Sequence, residues 1–264
     1  MFDLHTHTHH SCDAGASMLE FVAAAQNAGL TGIAFTDHVE WMPEDEAYNY
    51  LQLDAFFAEL EAVRAQVNGA FTLLAGVEIG NPHNYPAEAA ALLAAAPWDY
   101  VIGSAHWHGG KPGWRPIAFA QGMEASYQSY FEELTQLAAH GDFDVVGHFD
   151  IVRRDSVMLF KQTLDLTDFA DPIRAVLRSL IARGKGLEIN TSGPSYGLPG
   201  PLPDLNVLRW YRELGGEILV FGSDAHKPEH VGRHFAVARE LALTAGFTHL
   251  ARFAQRQVVE WIPL

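Results

Sequence analysis

Short runs of apolar and β-branched residues alternate along this chain with longer segments whose apolar positions recur at helical spacing. Seven runs read as strands: Phe2 to His5, Gly32 to Asp37, Thr72 to Glu78, Tyr100 to Ser104, Val145 to His148, Gly186 to Asn190 and Glu217 to Ser223. Between the first two, Ser17 is placed as an N-cap, Leu19, Val22 and Ala23 share one helical face, and Gly29 supplies a left-handed stop. Further helices are predicted at Asp54 to Val67, Glu124 to Ala139, Asp168 to Arg183, Leu205 to Leu214 and Glu229 to Ala245. Strand–helix alternation predicts a parallel sheet with crossover helices, and 264 residues suit one α/β barrel domain of roughly 250 residues. Irregular stretches follow strands at Trp41 to Tyr50, Trp107 to Gly122, Arg153 to Thr167 and Thr191 to Pro203. Loops that long in a compact domain are usually functional lids or disordered surface.

Every predicted strand ends at a polar residue able to bind metal or substrate: His5 and His7, Asp37 and His38, Glu78, His106, His148, Asn190, and Asp224 with His226. A parallel barrel gathers the carboxyl ends of its strands on one face, so these distant residues are brought together. Imidazole nitrogen and carboxylate oxygen are ligands for Zn, Mn or Fe. His5, His7, Asp13, His38, Glu78, His106, His148, Asp224 and His226 make nine such donors, enough for three divalent ions with some sharing. In His5-Thr6-His7 and in Asp224-Ala225-His226 the two donors stand two residues apart, on one side of an extended strand. Taken singly, each piece has a bland account: a chance His-x-His, a solvated strand end at Glu78, hydrogen-bonded histidines at His106 and His148, a helix cap at Asp37-His38. Those accounts are independent of one another, whereas the metal reading requires all the residues on one face and finds them there. His83, His140, His230, His234 and His249 fall on predicted loops or helices and are assigned to structure or surface, and His9 and His10 are neighbours of the site.

Composition narrows the function. Seventeen basic against 32 acidic side chains give a net charge of -15, which repels a nucleic-acid backbone and favours a small substrate. Cys12 is the only cysteine, which excludes intramolecular disulfides and thiolate zinc clusters and fits a reducing cytoplasm. The apolar stretch from Ala87 to Ala105 is interrupted by Pro97 and Asp99, so no membrane span is expected, and the amino terminus lacks the pattern of a signal peptide. The pattern sets no oligomeric state.

The motifs Asp3-Leu4-His5-Thr6-His7, Thr36-Asp37-His38, Gly76-Val77-Glu78, Gly103-Ser104-Ala105-His106, Gly147-His148-Phe149-Asp150 and Gly222-Ser223-Asp224-Ala225-His226 resemble the polymerase and histidinol phosphatase (PHP) superfamily, in family order and across almost the whole chain. That resemblance implies a distorted seven-stranded (β/α)7 barrel. Glu188-Ile189-Asn190-Thr191-Ser192-Gly193, Ser223 to Pro228 and the closing Trp261-Ile262-Pro263-Leu264 resemble the histidinol-phosphatase branch, which implies hydrolysis of L-histidinol phosphate in histidine biosynthesis. Asp13 departs from that branch, many of whose members carry histidine there. The family ligand pattern implies His5, His7, Glu78 and Asp224 at a first ion, Glu78, His106 and His148 at a second, and Asp13, His38 and His226 at a third.

Three divalent ions would exceed the charge of Asp13, Glu78 and Asp224 and draw a phosphate dianion, with a hydroxide shared between two ions as the nucleophile. Glu78, Asp224 and His226 are the expected catalytic residues. Arg153 and Arg154, whose guanidinium forks suit phosphate oxygens, and Asn190 are expected to bind substrate. Trp107, His108, Trp114 and Tyr196 are candidates by location. Competing readings are a broad phosphoesterase or nuclease of the same superfamily and a noncatalytic metal-stabilised module.

Overall fold

Parallel strands covered on both faces need apolar residues on both, and the strand-forming runs here are buried almost without alternation. The computed structural model describes every residue except Asn68 and Ala70. Its strands are β1 (Phe2–Asp3), β2 (Gly32–Phe35), β3 (His38–Val39), β4 (Thr72–Gly80), β5 (Tyr100–Ser104), β6 (Trp107–His108), β7 (Lys111–Pro112), β8 (Val145–Val146), β9 (Gly186–Asn190), β10 (Leu219–Gly222), β11 (His249–Ala254) and β12 (Gln257–Pro263). Seven of them run parallel in the order β1-β2-β4-β5-β8-β9-β10, with β3 pairing β4 beyond β2. The ring closes where the chain continuing β1 meets β10: the Leu4 amide donates to the Phe221 carbonyl, the Asp224 amide to His5 and the His7 amide to Ala225, each at 2.9 Å. The expected seven-stranded barrel is therefore present.

The helices are α1 (Met18–Asn27), α2 (Leu53–Gln66), α3 (Pro86–Ala95), α4 (Met123–His140), α5 (Ile151–Phe160), α6 (Ala170–Ala182), α7 (Leu205–Glu213) and α8 (Phe235–Thr244). Ser17 caps α1 in a capping box with Glu20, and Gly29 takes the left-handed φ of 72° expected of a stop. The buried face of α1 is Met18, Phe21, Val22 and Ala25, so the stripe is rotated from the predicted one: Leu19 is 43% exposed. Two other expectations fail, and one helix goes unpredicted, for physical reasons. The predicted loop from Arg153 to Thr167 begins as α5, whose buried face includes Arg153, Asp155 and Ser156 and so hides the apolar stripe that betrays a helix. The segment Pro86–Ala95 is so uniformly alanine-rich that it shows no stripe either, and only Ala89 is buried. The last predicted helix does not start at Glu229, because Gly232 (φ 66°) and His234 (φ 58°) adopt left-handed backbone and delay the start of α8 to Phe235.

Strand alternation divides the apolar residues into two cores. Ile33, Phe35, Leu73, Val101, Leu187 and Phe221 face the helices, while Leu4, Ala34, Leu74, Ile102, Val145 and Val220 fill the barrel with Tyr100. The hairpin β11–β12, missed in the sequence, adds Ala251 and Phe253 to that inner core, with the Phe253 ring 5.2 Å from that of Tyr100. Arg256 at its turn bonds to the Asp99 carbonyl at 2.9 Å and to Asp142 and Asp144 at 2.7 and 3.1 Å. Asp99 and Asp144 immediately precede β5 and β8, so the hairpin stoppers the amino end of the barrel and leaves the carboxyl end to the polar residues. Truncating a buried Phe typically costs about 3–5 kcal/mol. Phe253→Ala is expected to lose that much in urea denaturation, and a loss below about 1 kcal/mol would show that the stopper is dispensable.

Candidate metal centre

Barrel closure sets the first donors. Thr6 pairs in parallel with Ala225, which lays His5-Thr6-His7 alongside Asp224-Ala225-His226. Thr6 itself is pinned, its amide to Thr36 Oγ1 at 3.0 Å and its hydroxyl to the Ala34 carbonyl at 2.7 Å, so the flanking imidazoles are held on one side. Glu78 on β4 reaches this pair from across the barrel. Its Oε2 lies 3.2 Å from His5 Nε2 and 3.5 Å from His7 Nε2, and Asp224 Oδ1 lies 3.5 Å from His7 Nε2. Its Oε1 lies 2.9 Å from His148 Nε2 and 3.3 Å from His106 Nε2. Nearer the mouth, Asp13 Oδ2 lies 3.0 Å from His226 Nε2 and 3.6 Å from His38 Nε2. The nine sequence-predicted donors thus converge at the carboxyl end of the barrel, with Glu78 at their middle, its Oε2 also 3.0 Å from His38 Nδ1.

These separations bear on metal binding. Zn–N and Zn–O bonds of roughly 2.0–2.1 Å at tetrahedral angles place donors about 3.3 Å apart. Among the described residues, buried His5 Nε2, His7 Nε2, His38 Nδ1 and Glu78 Oε2 have no hydrogen-bond partner, although leaving such atoms unpaired is costly. Cations at these points would satisfy them, so the residues present fit a metal cluster. The charge balance agrees. Burial pushes the Glu78 carboxyl up, but the imidazoles of His5, His106 and His38 outweigh it and hold it well below the usual carboxylate range. Burial depresses His106, yet Glu40 and Glu78 push it up to about 10. Burial and the neighbouring His38 and His226 hold His7 well below its ordinary value, leaving a lone pair for a metal. As bare side chains the carboxylates thus retain protons on some imidazoles, which metal ions would displace.

Around the donors stands a shell of partners that orients them. His5 Nδ1 meets Glu188 Oε1 at 2.6 Å, His106 Nδ1 meets Glu40, and His7 Nδ1 meets Ser11 Oγ at 3.3 Å. Carboxylates behind ligating imidazoles fix the tautomer and raise basicity. Glu188 also accepts the amide of His148 at 2.7 Å, which helps hold that residue at a left-handed φ of 24°. Neither Glu188 nor Glu40 was singled out in the sequence as a site residue. A signal existed for Glu188: it lies two residues before Asn190 in a buried strand, where a charge requires a partner. Gly222 and Gly80 make room, since a Cβ at either would collide with the carboxylate of Glu188 or Glu40.

The remaining predicted site residues part company. Asp37 is a buttress, accepting from the Thr8 amide at 2.6 Å and the Ser11 hydroxyl at 2.8 Å. Asn190 receives the Ser192 amide and hydroxyl and donates to Glu188 at 3.1 Å, so it braces the shell and does not line the cleft. Consecutive residues on a helix diverge by about 100°, and α5 accordingly separates the two arginines. Arg153 turns to Asp150 and Asp204, at 3.0 and 3.7 Å. Arg154 enters the cleft, its Nη1 3.2 Å from Asp224 Oδ2 and its guanidinium 4.8 Å from the Tyr196 ring centre. Above the donors the cleft measures about 230 Å³ and is rimmed by Cys12, Asp45, Glu46, Trp114 and Tyr196. Trp107 is buried with its indole N–H on Asp45, and His108 packs edge-on to Tyr130. His83 pairs with Glu133 at 2.8 Å, a structural role as expected.

An α/β barrel with this His/carboxylate centre at its carboxyl end defines a metal-dependent hydrolase. The chain belongs to the PHP domain family, whose model matches residues 3–192. It is 30% identical over 265 residues to a probable histidinol-phosphatase of Deinococcus radiodurans, covering 97% of this chain and 98% of that one. It is 27% identical over 268 residues to the histidinol-phosphatase of Lactococcus lactis, covering 97% and 95%. The crystal structure of the Lactococcus lactis histidinol phosphate phosphatase, complexed with zinc, L-histidinol and phosphate, superposes with a TM-score of 0.86 at 24% identity over 98% of each chain. Among the described residues no helix is long and apolar enough to cross a membrane.

Loss of a partner behind a metal-ligating histidine typically weakens metal binding by about 10- to 100-fold. Glu188→Gln, which keeps the shape and removes the charge, should weaken zinc binding by that factor in a competition titration with a chromophoric chelator. Wild-type affinity in the variant would reduce Glu188 to packing.

Proposed function

We propose that this chain hydrolyses L-histidinol phosphate to L-histidinol and phosphate, using three divalent ions held by His5, His7, Glu78 and Asp224, by Glu78, His106 and His148, and by Asp13, His38 and His226. The observation that carries the reading is the sharing of Glu78: its two oxygens face different imidazole groups, the arrangement a phosphoester clamp requires. The names of the full-length relatives support the substrate, and the zinc, L-histidinol and phosphate in the Lactococcus lactis structure support both substrate and metal class. Manganese and iron suit the same nitrogen and oxygen donors.

Divalent ions bound there supply Lewis acidity and lower the pKa of water from 15.7 to around 7. The chain supplies position. Glu78 ties the first two donor groups into one rigid unit, and the Ser104 hydroxyl, donating to its Oε1, keeps the carboxylate from rotating. Asp224 faces two ways: Oδ1 turns to His7, while Oδ2 receives the Arg154 guanidinium, so one carboxylate sets both a metal donor and a phosphate-binding cation. The Tyr196 ring lies against a face of that guanidinium, which leaves the remaining in-plane N–H groups to hold a non-bridging phosphate oxygen. His226 and Asp13 stand at the exposed mouth, 25% and 49% accessible, where the ester must enter. Asp45 and Glu46 on the rim suit the cationic ammonium and imidazole of the substrate.

On metal-loaded enzyme, kcat/KM for L-histidinol phosphate should exceed those for AMP and for an aryl phosphate; equal turnover of AMP would favour a broad phosphoesterase. Arg154→Ala removes a charged hydrogen-bond donor worth about 1.5–3 kcal/mol and should lower kcat/KM by roughly ten- to a hundredfold with the metal content intact. Arg153→Ala should leave kcat/KM unchanged and lower the thermal midpoint, because it deprives Asp150 of its partner; the reverse ranking of the two variants would reassign the phosphate contact. Glu78→Ala should cost more activity than any single ligand His→Ala, since it strips two donor groups at once, and equal losses would argue against its shared role.

A further inference from the structure

Among the described residues, one set of ligating atoms converges apart from the nine-donor centre. His9 and His10, adjacent in the loop after β1, both turn their Nε2 atoms to a single oxygen of Glu59 on α2, at 3.2 and 2.8 Å. The three donor atoms lie within 4.8 Å of one another. The His9 separation matches the edge of roughly 3.3 Å that tetrahedral zinc imposes on its ligands, while the His10 separation is that of a hydrogen bond, which a bound cation would replace. The carboxylate is held in advance, because its other oxygen accepts the amide of Met18 at 2.9 Å at the start of α1. His9 Nδ1 faces the Ala16 carbonyl at 3.4 Å. A carbonyl only accepts, so that contact suits the tautomer with its hydrogen on Nδ1, in which the Nε2 lone pair turned toward Glu59 is available to a cation. The same backbone contact behind a ligating imidazole is the usual way a metal-binding tautomer is set.

We propose that His9, His10 and Glu59 form an additional divalent-cation site of the zinc class, sharing no donor with the catalytic centre. Three protein donors leave a coordination position, and the 43% exposure of His9 opens it to water or a small anion. Its place in the chain gives it a consequence. His7 and Asp13 bracket the loop that carries His9 and His10, and Asp13 is the most exposed donor of the centre, with 49% accessibility. A cation on Glu59 would clamp this loop to α2 and to the first turn of α1, and so hold Asp13 over the cleft.

Zinc alone is the probe. Wild-type protein, Glu59→Gln and His9→Ala are each dialysed to equilibrium against buffered free zinc, and bound metal is counted by mass spectrometry. Glu59→Gln retains an acceptor for the Met18 amide, and His9→Ala changes an exposed side chain, so both are expected to fold. The wild type should bind one equivalent more than either variant, or bind that equivalent at least tenfold more tightly, and zinc should raise its thermal midpoint further than theirs. The count is read as a difference between proteins, so it stands whether or not the catalytic reading survives. Equal zinc content and equal thermal response in all three proteins would overturn the proposal and leave a hydrogen-bonded His–Glu cluster.

Discussion

Closure of the barrel between β10 and the chain that continues β1 is the constraint on which the centre depends. Three backbone hydrogen bonds there, from Leu4, His7 and Asp224, set His5-Thr6-His7 and Asp224-Ala225-His226 side by side in parallel register. A one-residue slip of that register would send the imidazoles of His5 and His7 to the opposite face of the strand. The inner core and the hairpin stopper at the amino end then have a functional consequence, because whatever keeps the ring closed keeps the donors matched. Asp3 reinforces the seam from beneath, accepting the Ser223 amide at 2.9 Å and the Gly232 amide at 2.9 Å.

Within that frame the site is an exercise in concentrating charge. Glu78, Glu188, Glu40 and Asp224 are all buried, which costs heavily unless each carboxylate is paired. The pairing is layered: donors face one another across the spaces that suit cations, while Glu188 and Glu40 stand behind the imidazoles. Left-handed backbone at His148 and Asp224 adds local strain at two of the donors, and strain of this kind persists only where the surroundings over-determine it. A chain of net charge -15 thereby closes around a strongly cation-seeking hollow.

The arginines show how local structure decides function. Arg153 and Arg154 are chemically alike and adjacent, and the sequence offers no reason to prefer either. Once Ile151–Phe160 is a helix they must diverge, and Asp150 with Asp204 takes one while Asp224 with Tyr196 takes the other. That helix was itself hidden, because its buried face meets the polar site and so lacks the apolar stripe by which helices are recognised.

The sequence by itself determined the barrel class, the number of its strands and the nine residues that gather at its mouth, because strand burial is written in continuous apolar runs and polar side chains stand at their carboxyl ends. It did not reveal Glu188 and Glu40, the divergence of Arg153 from Arg154, the bracing role of Asn190, or the hairpin that stoppers the barrel. Each of those depends on what a side chain meets across the ring, at sequence separations such as the 183 residues between His5 and Glu188. Periodicity reports which face of an element is buried; only the closed tertiary structure decides whether a buried polar group there meets a metal donor, a substrate cleft or another strand.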